Sequence, residues 1–328
     1  MSPGVSAFLL DLYRVSRRLP HSEFRQWVFD ELGSLVQLDS GFWYRAAISY
    51  ENSENSSIHA WYLYRQPERL IQEYAAGMLW QEDVVYHKAL AAPPGTAVHA
   101  SYQHYSSERM RAFLKRYRQE HVMTIGIFQE VPQIVAGFSL YRNETRCSFS
   151  DEDVSNIETV APHVIDAWRE NWLNEAIRKA SSRPAPVEFC LAVTMPDQIL
   201  SEAQDNFGHL MHLEWPGWQG PRLPKELQSW LMSLNPSPWT GKAISVYRRK
   251  QPDETTLLLL RRSHPWDRLA PRKRMVALLF AEGASQTQVA ERAHLSPSTV
   301  NNYLGSIYKE LDLTDKTALS RLVERLHP

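Results

Sequence analysis

Residues 285–311 read S-Q-T-Q-V-A-E-R-A-H-L-S-P-S-T-V-N-N-Y-L-G-S-I-Y-K-E-L, an order that predicts two helices separated by a tight turn. Ser285 stands where a side-chain oxygen can cap a short helix running through Arg292, with Val289, Ala290 and Ala293 as its apolar stripe. The turn falls at His294 and Leu295. Ser296 caps the next helix, and Pro297 suits its first position because the N–H it lacks would have no partner there. Val300, Leu304, Ile307, Tyr308 and Leu311 then recur at helical spacing. Small alanines where the helices cross allow close approach, a geometry that projects the second helix into a DNA major groove.

Outward from this pair, Pro271 opens a helix to about Glu282, stopped by Gly283, with Met275, Val276, Leu278 and Leu279 inward. A fourth helix carries Leu319, Leu322, Val323 and Leu326 on one stripe. The third helix offers Ser298, Thr299, Asn301, Asn302 and Tyr303 to base edges and phosphates, and Arg272 and Lys309 are placed for phosphate contact. The run from Leu269 to Leu319, with A-E-G-A-S-Q-T-Q-V-A and L-S-P-S-T-V-N-N-Y-L at its centre, resembles the LuxR/NarL type of bacterial helix-turn-helix domain over about a fifth of the chain. The resemblance implies that residues 298–303 read DNA and that Leu319, Leu322, Val323 and Leu326 pair two protomers into a homodimer.

Three departures from that family pattern stand out. Ala270 and Lys273 replace a threonine and a glutamate, removing a capping box worth about 1 kcal/mol. His294 takes the place of the usual turn glycine, and Asn301 that of a frequently basic residue. The cluster Arg272, Lys273, Arg274 reads equally as a phosphate contact and as a solvated face. Over 264–328 nine Lys/Arg stand against seven Asp/Glu, a net of +2. The family's pattern therefore carries the DNA reading more than charge does.

The whole chain of 328 residues, 43% hydrophobic and 22% charged with a net charge of −1, has the composition of a soluble globular protein with two or three domains. Cys147 and Cys190 alone do not make a disulfide framework, which suits a cytoplasmic protein. No stretch approaches the roughly eighteen apolar residues of a membrane span. No internal repeat is visible, and the linker candidates are Ser181–Pro186 and Ser263–Asp267.

In the front part, helical periodicity covers 21–37, strands are predicted at Gly41–Ser49 and Ile58–Arg65, helices at Glu68–Ala76 and Ser107–Glu120. Strands at Met123–Glu130 and Ile134–Tyr141 flank a turn at Val131-Pro132-Gln133, and a long helix runs from Asp151 to about Lys179 under a Ser150 cap. The run G-F-S-L-Y-R…F-S-D-E-D-V…V-A-P-H-V-I-D-A-W from Gly137 to Trp168 resembles the end of GAF-like sensor domains. The segment Tyr74–Val85 also resembles the acyl-homoserine-lactone receptor domain, with Val84 in place of a proline and Leu70 in place of the lactone-binding tryptophan. Tyr62, Tyr64, Tyr74, Trp80 and Asp83 are the candidate ligand-binding residues, an aromatic wall with one carboxylate, although each aromatic reads equally as core and Asp83 as a cap.

Residues 187–262 predict a strand at Val187–Val193, a turn at Met195–Gln198, a helix at Glu202–Leu213 and a hairpin of Ala243–Lys250 with Thr255–Arg262. The order is weakly similar to a PAS-like domain, with Trp215, Trp218, Trp230 and Trp239 as packing between domains. No phosphate loop, nucleophile elbow or C-x-x-C pair occurs, and His209 with His212 lacks a third ligand, so neither an enzyme nor a metal or cofactor is expected. The expected fold class is α+β multidomain: antiparallel-sheet sensor domains with flanking helices, plus an all-α C-terminal four-helix helix-turn-helix domain. The domains are 1–180 (GAF-like sensor), 187–262 (degenerate PAS-like) and 265–328 (DNA-binding). The expected function is a cytoplasmic, homodimeric transcription regulator binding double-stranded DNA under a small-molecule effector, without a membrane; the alternative is a protein-interaction module that antagonises another regulator.

Overall fold

A computed structural model of the chain describes residues 3–47, 57–129, 133–143, 146–180, 189–234 and 237–326. The chain divides into two compact units, Met1–Glu175 with Gln219–Pro221, and Ala176–Trp218 with Arg222–Pro328. The expected linker Ser181–Pro186 and the residues Val131 and Pro132 of the expected turn lie outside the described residues.

The first unit is built on a five-stranded antiparallel sheet of β1 (Ser40–Ala47), β2 (Ser57–Tyr64), β3 (Val98–Ser101), β4 (His121–Gln129) and β5 (Ile134–Arg142), ordered β2-β1-β5-β4-β3. Central β5 is buried throughout, as a strand covered on both faces must be. One face packs on α1 (Pro3–Ser16), α2 (His21–Leu35) and α6 (Asp151–Ala180) through Phe24, Phe29, Ile157, Val164 and Trp168. Trp43 of β1 stacks on Trp168 with ring centroids 4.0 Å apart. The N-terminus of α6 is closed by a reciprocal pair: Asp153 N donates to Ser150 Oγ at 3.2 Å, and Ser150 N to Asp153 Oδ2 at 2.8 Å. The opposite face is covered by α3 (Arg69–Ala76), α4 (Val84–Ala91) and α5 (Glu108–Arg116). Periodicity indicates neither α1 and α4 nor the short edge strand β3.

In the second unit β6 (Cys190–Thr194), β7 (Leu200–Ala203), β8 (Trp239–Thr240), β9 (Ile244–Lys250) and β10 (Thr256–Arg262) form a sheet ordered β7-β6-β10-β9-β8. Numbered within each sheet, both read 2-1-5-4-3, a repeat of topology that leaves no trace in the sequence. The expected helix at Glu202–Leu213 is corrected at its start. Leu200–Ala203 are buried and pair with β6, Ala203 opposite Ala192, and α7 begins only at Phe207 and ends at Glu214. The tryptophans pack within this region: Trp215 stacks on Trp239 at 5.0 Å, Trp218 meets Phe207 edge-on, and Trp230 of α8 (Lys225–Met232) lies under Arg248. His212 Nε2 donates to the Trp218 carbonyl at 2.6 Å. Both cysteines are free, and burial pushes the Cys190 thiol up to about 12.

Four helices complete this unit: α9 (Pro271–Ala281), α10 (Gln286–Ala293), α11 (Pro297–Leu311) and α12 (Lys316–Leu326), hereafter the head. The expected linker at Ser263–Asp267 is instead a buried joint. Trp266 is fully buried in the head's core. The carboxylate of Asp267 turns the other way, into the sheet. Its Oδ1 accepts from Tyr247 OH at 2.6 Å and from Arg261 Nη2, its Oδ2 from Ser245 Oγ at 2.8 Å and from the His264 amide at 2.9 Å. Arg261 and Asp267 side chains are 3% and 0% exposed, and Arg261 Nη2 also reaches the Leu326 carbonyl at the end of α12. Removing one partner of a buried pair leaves the other charged and desolvated, at a cost of about 3–5 kcal/mol. Asp267→Ala is therefore expected to destabilise the second unit by that amount in chemical denaturation. A loss under about 1 kcal/mol would show that the joint does not depend on this pair.

Candidate functional site

The head carries the first candidate surface. Ser285 Oγ accepts from Gln288 N at 3.2 Å while Gln288 Oε1 accepts from Ser285 N at 2.9 Å, closing the start of α10. His294 ends that helix at φ 52°, in the left-handed region, and Leu295 N bonds back to Ala290 O at 2.9 Å. Ser296 then accepts from Thr299 N at 3.1 Å and starts α11. Val289, Ala290 and Ala293 are buried on α10, and Val300, Leu304, Ile307 and Leu311 on α11. The opposite side of α11 therefore faces solvent. Ser298, Asn301, Asn302, Gly305 and Lys309 are exposed, spaced by three or four residues so that they form one stripe.

Not every expected contact residue is on that stripe. Thr299 and Tyr303 are half-buried, Tyr303 against the core; the hydroxyls of Thr299 and of the exposed Ser298 both meet Ser296 Oγ, at 2.7 and 2.9 Å. Within the basic cluster Lys273 binds Ser306 Oγ at 2.8 Å and pairs with Glu310, while Arg274 donates to the carbonyls of Trp266 and Asp267. Arg272 alone of the three is exposed. Ala270 supplies no side-chain cap to α9.

The dimerisation stripe needs correction. Leu319, Leu322 and Leu326 are buried in the head's own core, 0%, 8% and 2% exposed, and only Val323 is half-exposed. A stripe at i, i+3, i+4 and i+7 marks the buried side of a helix without saying whose core it enters.

The second candidate lies in the first unit, between the sheet and α3–α5. It is a cavity of about 720 Å³. Phe42, Tyr44, Val122, Thr124, Ser139 and Tyr141 form its floor, and Leu70, Tyr74, Trp80, Asp83 and Phe113 contribute to its roof. Gly126 and Gly137 are cross-strand partners beneath Tyr44, and a Cβ on Gly137 would stand 2.6 Å from the Tyr44 hydroxyl. The two glycines thus let the phenol lie flat on the sheet. Asp83 caps α4, its Oδ1 accepting from Val85 N at 2.9 Å, Tyr86 N at 3.3 Å and Tyr105 OH at 3.1 Å, its Oδ2 from Tyr74 OH at 2.9 Å. Burial raises the Asp83 carboxyl above its ordinary range, against the pull of these donors, and burial followed by the Asp83 charge raises Tyr74 and Tyr105. Among the described residues no group of three His, Cys, Asp or Glu could hold a metal ion.

Residues 267–323 match the family described as bacterial regulatory proteins, luxR family. The head is a luxR-family helix-turn-helix domain. A comparison with curated proteins finds no match. Among solved structures, SdiA of Escherichia coli is similar with a TM-score of 0.42 and 10% identity over 97% of this chain and 95% of that one. The N-acylhomoserine lactone dependent LuxR-family transcription factor CepR2 of Burkholderia cenocepacia gives 0.40 and 9%, over 52% of this chain and 98% of that one. A phycocyanobilin-bound GAF domain of a cyanobacterial phytochrome gives 0.34 and 10%, over 53% and 98%. At these values no residue takes a role from them.

Within the first unit, three of the five expected ligand residues meet in one place. Tyr74, Trp80 and Asp83 line the cavity, as does Leu70. Tyr62 and Tyr64 do not. They point to the other face of the sheet, where Tyr64 stacks on Phe29 at 5.2 Å and donates to Asp30, and Tyr62 packs near Trp168. The cause is the pairing with β1: Tyr64 stands opposite Gly41 and Tyr62 opposite Trp43, on the face away from Phe42 and Tyr44, which line the cavity. A bulge beyond them, where Arg45 pairs with Ala60 but Ala46 with Ile58, turns only Ile58 to the cavity. Tyr105 and Gln119 were not indicated by any pattern; both sit in irregular segments beside helix ends.

Asp83→Ala should destabilise the first unit by about 2–4 kcal/mol, since it removes an N-cap and strands two tyrosine hydroxyls. Asp83→Asn, which keeps a capping oxygen, should cost less than half of that. Because the folded carboxyl titrates above its unfolded value, wild-type stability should fall relative to Asp83→Asn as pH rises from the ordinary aspartate range through the raised one. Denaturation of both variants across pH measures the size and the sign.

Proposed function

We propose that this protein is a cytoplasmic bacterial transcription regulator in which a small molecule held by the first unit controls DNA binding by the luxR-family head. The observation that carries the reading is the exposed stripe Ser298, Asn301, Asn302 and Lys309 on a helix whose other side is packed into that head. Asparagine amides can pair with adenine edges, and Ser298, Lys309 and Arg272 can hold phosphates. Among the described residues the side chains of Asn301 and Asn302 make no hydrogen bond within the chain, so both carboxamides are available to a base. The large, mostly apolar cavity with one carboxylate suits an effector. No catalytic role is assigned to any residue. Among the described residues no helix is long and apolar enough to cross a membrane.

A second reading, the protein-interaction module, has one observation in its favour: Lys273 and Arg274 are engaged within the chain, which leaves the head with few cations for phosphate. Selection of random duplexes by the full chain at two salt concentrations separates the two. A regulator should enrich a two-fold site, with affinity falling by a log–log slope of about −0.9 per phosphate held. Asn302→Ala should then relax preference at one base position, about 1–3 kcal/mol of discrimination, rather than weaken all sequences equally. Failure to enrich any duplex, in the presence or absence of cellular small-molecule extract, would favour the module.

Dimerisation is also part of the proposal, and its testable residue is Val323. Val323→Arg should keep the unfolding midpoint while lowering affinity for a two-fold site at least about tenfold, read by sedimentation and DNA titration together. Leu319→Arg should instead unfold the head, because Leu319 has no exposure. Unchanged assembly in the Val323 variant would place the dimer contact elsewhere.

A further inference from the structure

Asp83 is the charged group of the cavity, yet it is nearly saturated. Three donors reach its Oδ1 and one its Oδ2, against the roughly four acceptor positions that a carboxylate offers. Gln119 is the opposite case. It lines the same cavity, the residue is 2% exposed, and its Nε2 is buried without a hydrogen-bond partner. Its position follows from the end of α5: Arg118 turns into the left-handed region at φ 56°, and Gln119 N bonds back to Leu114 O at 2.8 Å. That closure fixes the backbone and leaves the carboxamide in the wall. A buried amide without a partner costs folding free energy, and an oxygen acceptor placed against it would satisfy it.

The charge of the lining restricts what can arrive. Among the described residues it holds one carboxylate and no Lys, Arg or His. An anion would enter apolar surroundings beside Asp83 with no cation to pair it.

We propose that Gln119, rather than Asp83, selects the effector, and that the effector is a neutral, largely apolar molecule whose carbonyl-type oxygen accepts from the Gln119 carboxamide. Asp83 holds the roof by capping α4 and tying Tyr74 and Tyr105 together. This inference rests on the cavity being the effector site, and its test keeps the two apart.

The test is calorimetric titration of the full chain with methyl octyl ketone and with decanoate, chains of equal length that differ in charge. The ketone is expected to bind and decanoate to bind at least about tenfold more weakly. Gln119→Leu, close in volume, should lose about five- to tenfold in ketone affinity, the worth of one hydrogen bond, while its unfolding midpoint stays equal to or above that of wild type. Gln119→Met should behave alike. Unchanged ketone affinity in both variants would overturn the role of Gln119 and leave the cavity reading intact. Lowered midpoints in both would make the amide structural and overturn it too. Equal binding of decanoate would overturn the neutrality of the effector, and no binding of the ketone to wild type would overturn the cavity reading with everything built on it.

Discussion

Strand β5 is buried from Ile134 to Arg142, and the first unit is arranged around the need to cover it from both sides. A strand with no exposed face requires two apolar layers, and the chain supplies them unequally. On one side α1, α2 and α6 bring apolar side chains that interlock, with Trp168 stacked nearly parallel on Trp43 of the sheet. On the other, short helices and turns cover the sheet without filling the space beneath them. Short helices have few residues per face and are held by caps, so they span the sheet more readily than they pack into it. The cavity is the consequence. Gly126 and Gly137 deepen it by letting Tyr44 lie on the strands, and Asp83 keeps the roof in place with four hydrogen bonds.

The second unit meets a different constraint at its joint. A buried carboxylate is costly unless its oxygens are hydrogen-bonded, and those of Asp267 accept from Ser245, Tyr247, Arg261 and the His264 amide. The adjoining Trp266 is inserted into the head while Asp267 is inserted against the sheet, so consecutive residues are committed to opposite sides. Arg261 extends the same contact to the last carbonyl of α12, where a cation suits a helix C-terminus. The head thereby has a defined attachment to the sheet, and α12, packed along its length in the head's core, is also tied at its end.

Legibility in the sequence followed the range of the interaction responsible. Caps act over three residues, and Ser150, Ser285 and Ser296 all stand where the residues around them indicated. The left-handed turn at His294 was legible for the same reason, since a position that suits glycine shows as an exception when another residue fills it. Hairpin strands β9 and β10 were bracketed by their Pro-Asp turn. The failures share the opposite property. Alternation puts Tyr62 and Tyr64 on one face of β2 without saying which face, because that depends on their pairing with Trp43 and Gly41 of the partner strand. Glu202 was given to a helix because nothing local shows that β6 is waiting beside it. The joint at Ser263–Asp267 looked like a linker because its polar residues find their partners some twenty positions earlier in the chain.

By itself the sequence determined the four helices of the head, the polar stripe of α11 and the sheet-forming character of the parts before it, because periodicity, caps and turn residues act between near neighbours. Only the tertiary structure decided which apolar stripes are internal, as for Leu319, Leu322 and Leu326, which aromatic residues share a cavity, and that Gln119 stands there with an unmet amide. Those outcomes depend on which surfaces meet, and a one-residue shift in strand register is enough to reverse them.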